Sequence, residues 1–209
     1  SDKAVNPTST MGATKLLGER LFTSANHYAG KKETKFASVR FGNVLNTNGS
    51  ILQIFKDQLS KNIPLTITSK EMTRFFITME QAIDLCIRAA QLTIGGEIFI
   101  MNMGSCSVIN LAKAITKNKK FEYEIIGPKS GEKLFEELVT ETEVERTITL
   151  DDLNIVIPDT LNMMPNNIVK NYNIKYKGCS KIYQPIRSDI NILTWQDTLN
   201  LLKENGLVF

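Results

Sequence analysis

Met11, Leu16, Leu17, Leu21 and Phe22 recur at helical spacing, so the segment that follows Asn6-Pro7-Thr8-Ser9 predicts an amphipathic helix, with those four residues supplying a turn and candidate N-caps. Lys15 falls on that helix one turn after Met11 and on the same side. Ser1, Asp2 and Lys3 lie just before it, where a strand end is expected; doubly wound sheets bind ligands at such ends. Further along, Lys35 to Phe41 alternates as a strand and stops at Gly42-Asn43, and a loop runs to Gly49-Ser50. A helix is predicted from Ile51 to Ser60, extended chain from Pro64 to Thr68 and from Arg74 to Thr78. A second long helix should run from Met79 to about Gln91, with Ala82, Leu85, Cys86 and Ala89 on its apolar face and Gly95-Gly96 as its stop. Glu97 to Met101 reads as a strand, Val108 to Lys117 as a helix and Tyr123 to Ile126 as a strand.

Strands alternating with helices predict an α/β fold: a sheet with a smaller, substrate-covering lobe. From about Asp151 the pattern weakens, leaving a strand at Asn154 to Ile157 and a last helix at Thr194 to Glu204. The chain contains neither internal repeats nor low-complexity segments.

Composition narrows the function classes. The 209 residues, 42% hydrophobic, suffice for one good core. Lysine and arginine number 25 against 22 acidic residues, and no basic stripe is interleaved with aromatics, so nucleic-acid binding is not expected. A few lysines near a phosphate-binding cleft account for the small excess. No apolar run reaches the roughly 18 residues of a membrane span, so membrane association has no support in this segment. Cys86, Cys106 and Cys179 have no paired spacing and are expected to be reduced and mostly buried. His27, the single histidine, is expected to be solvated near a helix end, and a structural zinc site is not expected.

The block Ser1-Asp2-Lys3-Ala4-Val5-Asn6-Pro7-Thr8, continued by Met11-Gly12-Ala13-Thr14-Lys15, resembles the active-site block of the UDP-N-acetylglucosamine 4,6-dehydratases of polysaccharide biosynthesis, a branch of the extended short-chain dehydrogenase/reductases. Arg40-Phe41-Gly42-Asn43-Val44-Leu45 is similar to that family's Arg-Tyr/Phe-Gly-Asn-Val strand. Glu71 to Thr78 resembles its Met-Thr-Arg-Phe segment, and Gly131-Glu132-Lys133-Leu134 its Gly-Glu-Lys-Leu turn. The Gly-rich turn that opens the superfamily's dinucleotide-binding sheet is missing from this sequence. The expectation is therefore the C-terminal part of a Rossmann-like doubly wound sheet plus a smaller substrate-binding lobe over residues 1–150. Residues 151–209 would be an extension packing on it, and the dinucleotide-binding half would lie upstream. Alone, such a piece is expected to be inactive and poorly soluble, with a bare sheet edge.

The resemblance implies loss of water across C5 and C6 of a UDP-linked hexosamine, with NADP or NAD as a recycled cofactor. Lys3 would take the C5 proton, Asp2 would protonate the departing 6-hydroxyl, and Ser1 would bond the 4-hydroxyl or the developing oxyanion. Lys15 would hold the nicotinamide ribose and add positive potential. Met11 stands where most short-chain dehydrogenases carry a tyrosine, and a thioether cannot exchange a proton; some dehydratases share this methionine. Cofactor contacts are implied for Met11, Lys15, Val44, Leu45 and Asn46, within a loop that runs to Asn48. Substrate contacts are implied for Asn43, Ile51, Thr68, Lys129 and Glu132. Asn43 equally suits a turn or cap, and Arg74 equally suits an internal ion pair. Lys129 replaces the usual diphosphate-gripping arginine and loses its bidentate fork. Phe135 stands where a histidine is common. The implied enzyme is cytoplasmic and homo-oligomeric at full length. The competing readings are a sugar-nucleotide 4-epimerase and a non-catalytic sugar-nucleotide-binding module.

Overall fold

The computed structural model describes residues 1–29, 33–47, 49–161 and 166–207, without the side chains of 167 and 168. Its elements, in chain order, are α1 (Thr10–Tyr28), β1 (Ser38–Arg40), β2 (Asn43–Val44), α2 (Ile51–Ser60), β3 (Leu65–Ile67), β4 (Thr73–Ile77), α3 (Met79–Leu92), β5 (Ile98–Met101), β6 (Ser105–Ser107) and α4 (Val108–Ile115). They continue with β7 (Tyr123–Ile125), β8 (Glu137–Val139), α5 (Glu141–Val144), β9 (Thr147–Leu150), β10 (Leu153–Val156), α6 (Asn166–Lys175), β11 (Ser180–Lys181), β12 (Ile186–Arg187) and α7 (Trp195–Glu204). The chain divides into two compact units, one of residues 1–41, 81–102 and 137–186 and the other of residues 42–80, 103–136 and 187–209.

The first unit is built on a five-stranded sheet of order β1-β5-β10-β9-β11. β1 runs parallel to β5, with Ser38 opposite Ile98 and Arg40 opposite Ile100; the remaining pairs are antiparallel. Every residue of β5 and β10 is buried; β5 is an unbroken apolar run, and in β10 the buried Asn154 Oδ1 accepts from the Thr149 hydroxyl at 3.0 Å. The β9–β10 hairpin turns at Asp151, which takes a left-handed φ of 54°. Beside β1, the Ser1 main-chain nitrogen donates to the Val39 carbonyl at 2.9 Å and the Asp2 nitrogen to the Phe41 carbonyl at 3.2 Å, after which Asp2–Ala4 coil into one 3₁₀ turn. Among the described residues no strand is formed before the first helix; the expected strand end is two main-chain hydrogen bonds to Val39 and Phe41 followed by the 3₁₀ turn.

α1 begins at Ser9, whose hydroxyl accepts from the Gly12 amide at 3.2 Å. Gly12 is needed for space: a Cβ there would lie 2.6 Å from the Lys3 carbonyl oxygen. The helix is where its periodicity put it, but the apolar face is not core. Met11, Leu17, Leu21 and Phe22 are each more than half exposed, and the buried α1 residues are Gly12 and Glu19. Periodicity marks which residues share a face and leaves open what covers it.

In the second unit, β2-β4-β6 form one small sheet and β3-β7 another. α2, α4 and α7 bury Leu52, Phe55, Leu111, Ala112, Ile115 and Leu202 in one cluster with Leu65, Ile67 and Phe76 from the strands. At Gly42 a Cβ would come 2.4 Å from that of Phe75, so glycine alone lets the two strands approach here.

Most predicted elements recur with ends moved by one to three residues. β2, β6, β8, β9, β11, β12, α5 and α6 were not foreseen; several are too short or polar to show a pattern, and Ser105–Ser107 is a strand because it pairs antiparallel with Thr73–Phe75. The cysteines correct the expectation of mostly buried thiols: Cys106 is buried, Cys179 intermediate and Cys86 exposed, just off the Ala82-Leu85-Ala89 line that α3 buries. Among the described residues no helix is long and apolar enough to cross a membrane, and no group of potential ligands could hold a metal ion.

Candidate functional site

The 3₁₀ turn concentrates the predicted catalytic groups of the first unit. Asp2 is 3% exposed. The Lys3 ammonium reaches its Oδ1 at 3.4 Å and its Oδ2 at 3.5 Å, while the Lys3 side chain stays 40% exposed. Ser1 Oγ accepts from the Lys3 amide and donates to Asp2 Oδ1, both at 3.4 Å. The turn therefore joins a hydroxyl, a carboxylate buried in low dielectric and an ammonium whose tip meets solvent.

Gly12 seats the first turn of α1 against this group, so Met11 and Lys15 follow at fixed register. Lys15 and Ser1 line the same cavity of about 420 Å³, together with Thr14, Gly18, Glu19 and the Ala37–Val39 backbone edge. Lys15 is exposed and has no intramolecular partner among the described residues. A free ammonium and a hydroxyl on one cavity suit a polyhydroxylated or anionic ligand such as a nicotinamide ribose.

Beneath Lys15, one turn along α1, lies a feature the sequence reading missed. The Arg40 guanidinium, 1% exposed, holds Glu19 with Nε at 2.9 Å and Nη2 at 2.6 Å, and Glu143 with Nη1 at 2.8 Å and Nη2 at 2.9 Å. Nη1 also donates to the Leu138 carbonyl at 2.8 Å. Burial alone would raise the Glu143 pKa, but the hydrogen bonds and charge of Arg40 outweigh it and hold the carboxyl below its ordinary value. The same two carboxylates push the Arg40 pKa up against the cost of its burial. A charged residue four places after Lys15, on the buried side of α1, was the available signal for Glu19. Glu143, more than 100 residues from Arg40 in sequence, left none.

The remaining candidates belong to the second unit. Asn43, on β2 opposite Phe76, is half-buried, and its side-chain amide has no intramolecular partner among the described residues, which disfavours a capping role. Val44 accepts from the Thr47 hydroxyl through its carbonyl, and Leu45 is 7% exposed with its amide on the Ile77 carbonyl. Leu45 and Ile51 both pack in the unit's core. Asn46 takes a left-handed φ of 59°, and Thr68 is half-buried directly after β3. Asn48 lies outside the described residues.

Lys129 and Glu132 close one turn: the Glu132 carboxylate accepts from the Lys129 amide at 3.1 Å and lies 3.5 Å from Arg74. Arg74 also donates to the Thr73 and Lys133 carbonyls at 2.7 and 2.9 Å, the internal network weighed as one of its two roles. Phe135 carries the Arg187 guanidinium over its ring at 4.1 Å, a contact that suits an aromatic at this position.

A family model described as "Polysaccharide biosynthesis protein" matches residues 1–158. The chain belongs to the polysaccharide biosynthesis protein family. It is 45% identical over 84% of its length to an uncharacterized membrane protein of Methanocaldococcus jannaschii, covering 55% of that protein. It is 38% identical over 76% of its length to a UDP-N-acetylglucosamine 4,6-dehydratase (inverting) of Campylobacter jejuni, covering 47% of it. Among solved structures, Pen from Bacillus thuringiensis superposes with a TM-score of 0.84 at 34% identity, over 99% of this chain and 61% of that one. The chain thus spans about half the length of these curated relatives. In this polysaccharide biosynthesis protein the mixed α/β fold is shared with Pen over 99% of the chain, and the family match includes Ser1-Asp2-Lys3 and Lys15.

Proposed function

We propose that the protein acts as a UDP-N-acetylglucosamine 4,6-dehydratase with NAD or NADP, giving a UDP-4-keto-6-deoxy-hexosamine for glycan synthesis. The observation that carries this reading is the Lys3–Asp2 contact at 3.4 Å beside the Ser1 hydroxyl. The contact sets an amine-bearing and a carboxyl-bearing side chain side by side, the residue types an elimination needs as base and acid.

When bound, the nicotinamide would supply removal of the C4 hydride and its return at C6. Lys15, with Met11, would hold it. Lys3 then takes the C5 proton, acidic beside the C4 carbonyl, and Asp2 protonates the departing 6-hydroxyl. Ser1 steadies the C4 oxygen. Met11 cannot exchange a proton, which disfavours the 4-epimerase reading, and Asn43, Ile51, Thr68, Lys129 and Glu132 are assigned to the UDP-sugar. A cytoplasmic homo-oligomer is the expected form.

Incubating the full-length protein with UDP-N-acetylglucosamine tests this. A product lighter by one water and bearing a C4 ketone by NMR is expected. A C4 epimer would establish the alternative enzyme, and an unchanged sugar despite measurable binding would leave the non-catalytic module.

A further inference from the structure

Four lysines of the second unit surround one cavity that the proposed reaction does not use. Lys70, Lys113, Lys119 and Lys120 line a depression of about 530 Å³, together with Ser107, Ile109, Asn118, Phe121 and Tyr123. No carboxylate is among its lining residues. None of the four ammoniums has an ion-pair partner among the described residues, whereas Lys61, Arg74, Arg88, Lys133 and Arg187 all do. Lys113 is half-buried on α4, while Lys70, Lys119 and Lys120 are exposed.

The aromatic floor is organised as well. The Lys70 ammonium stands 5.4 Å from the Tyr123 ring centroid, and Phe121 and Tyr123 lean together with centroids 5.8 Å apart. The loop that brings Lys119 and Lys120 here depends on left-handed Lys117 and Asn118, with φ of 52° and 57°. The Lys119-Lys120-Phe121 ridge also borders a second cavity of about 480 Å³ lined by Leu59, Ile63 and Pro64, where Glu122 is the single acidic residue. Four like charges around one concavity repel each other, and a multivalent anion relieves that repulsion.

We propose that this cavity is a binding site for a phosphate-bearing ligand, its anionic oxygens held by Lys70, Lys113, Lys119 and Lys120 and its apolar portion by Phe121 and Tyr123. A free phosphate compound and the headgroup of an anionic phospholipid present the same chemistry, and the aliphatic residues beside the ridge are compatible with either.

The test measures the full-length protein against two probes: inorganic pyrophosphate by calorimetry, and co-sedimentation with phosphatidylcholine vesicles containing about a third phosphatidylglycerol. Lys119→Glu/Lys120→Glu and, separately, Lys70→Glu/Lys113→Glu are compared with Lys177→Glu/Lys203→Glu, which changes net charge equally at two lysines that do not line the cavity. At least one probe should bind, each cavity variant should weaken it by about 30-fold or more, and the control should stay within about threefold of wild type. Pyrophosphate binding alone identifies a soluble ligand; vesicle binding alone identifies a lipid headgroup. Failure of both probes to bind, or equal losses in cavity and control variants, would overturn the proposal. Dehydratase turnover of the cavity variants, read in parallel, keeps this outcome separate from that of the proposed reaction.

Discussion

α1 and α4 are held in place on opposite plans. α4 has eight residues, buries Val108, Leu111, Ala112, Ala114 and Ile115, and lies in the core of its unit. α1 has nineteen, buries Gly12 and Glu19, and turns its largest apolar side chains to solvent. Dispersion and apolar burial fix the short helix. The long one, which carries Lys15, is held chiefly by dispersed contacts: the Ser9 cap, the close approach at Gly12, the Glu19–Arg40 pair, the Asn26–Phe36 hydrogen bonds and the Arg20–Asp159 pair. A helix can thus be placed largely by polar contacts and one close approach while most of its large apolar side chains stay exposed.

The largest effect that would sharpen this contrast comes from Arg40→Met. It strands two buried carboxylates and should cost about 3–5 kcal/mol in urea unfolding. The pH dependence has a definite sign. The Glu143 pKa is lowered on folding, so its contribution is present above its ordinary value of 4.5 and is lost as pH falls through the folded value. The gap between wild type and Arg40→Met should therefore narrow on acidification; a gap that widens would refute the assignment.

Next, Leu111→Ala on α4 should cost about 2–5 kcal/mol, while Leu21→Ala on α1 should stay within about 0.5 kcal/mol. Similar losses at both positions in the same unfolding titration would erase the contrast.

Gly12→Ala is expected to cost about 1–3 kcal/mol, because the Lys3 carbonyl or the helix must yield. It should also lower turnover more than the loss of stability explains. The mildest effect concerns thiols: burial pushes the Cys106 thiol up to about 11, so a thiol reagent at neutral pH should label Cys86 and Cys179 in the folded protein and spare Cys106.

The legible parts of the fold are those where local pattern and tertiary role coincide. α3 shows its Ala82-Leu85-Ala89 stripe, and β5 is an unbroken apolar run between Glu97 and Asn102. Asn43–Val44 and Ser105–Ser107 carried no such pattern, since their strand character comes from pairing with β4. The hairpin of β9 and β10 was half-read; Asp151-Asp152 between two alternating runs was the overlooked turn signal.

At the site, Ser1, Asp2, Lys3 and Lys15 could be named because they share one short segment. Their support could not: Arg40 meets Glu143 only through folding, and the solvent-facing side of α1 looks in sequence like any core stripe. The lysine cavity was invisible for the same reason, with Lys70 more than 40 residues from Lys113.

The most direct test of the account is deuterium exchange at C5 by the full-length protein in heavy water, comparing wild type with Lys3→Met. Wild type should place one deuteron at C5 of the 4-keto product, and Lys3→Met should bind the UDP-sugar while losing that exchange by at least about 100-fold. Undiminished C5 exchange in Lys3→Met would contradict the assignment of the Ser1-Asp2-Lys3 turn as the catalytic centre.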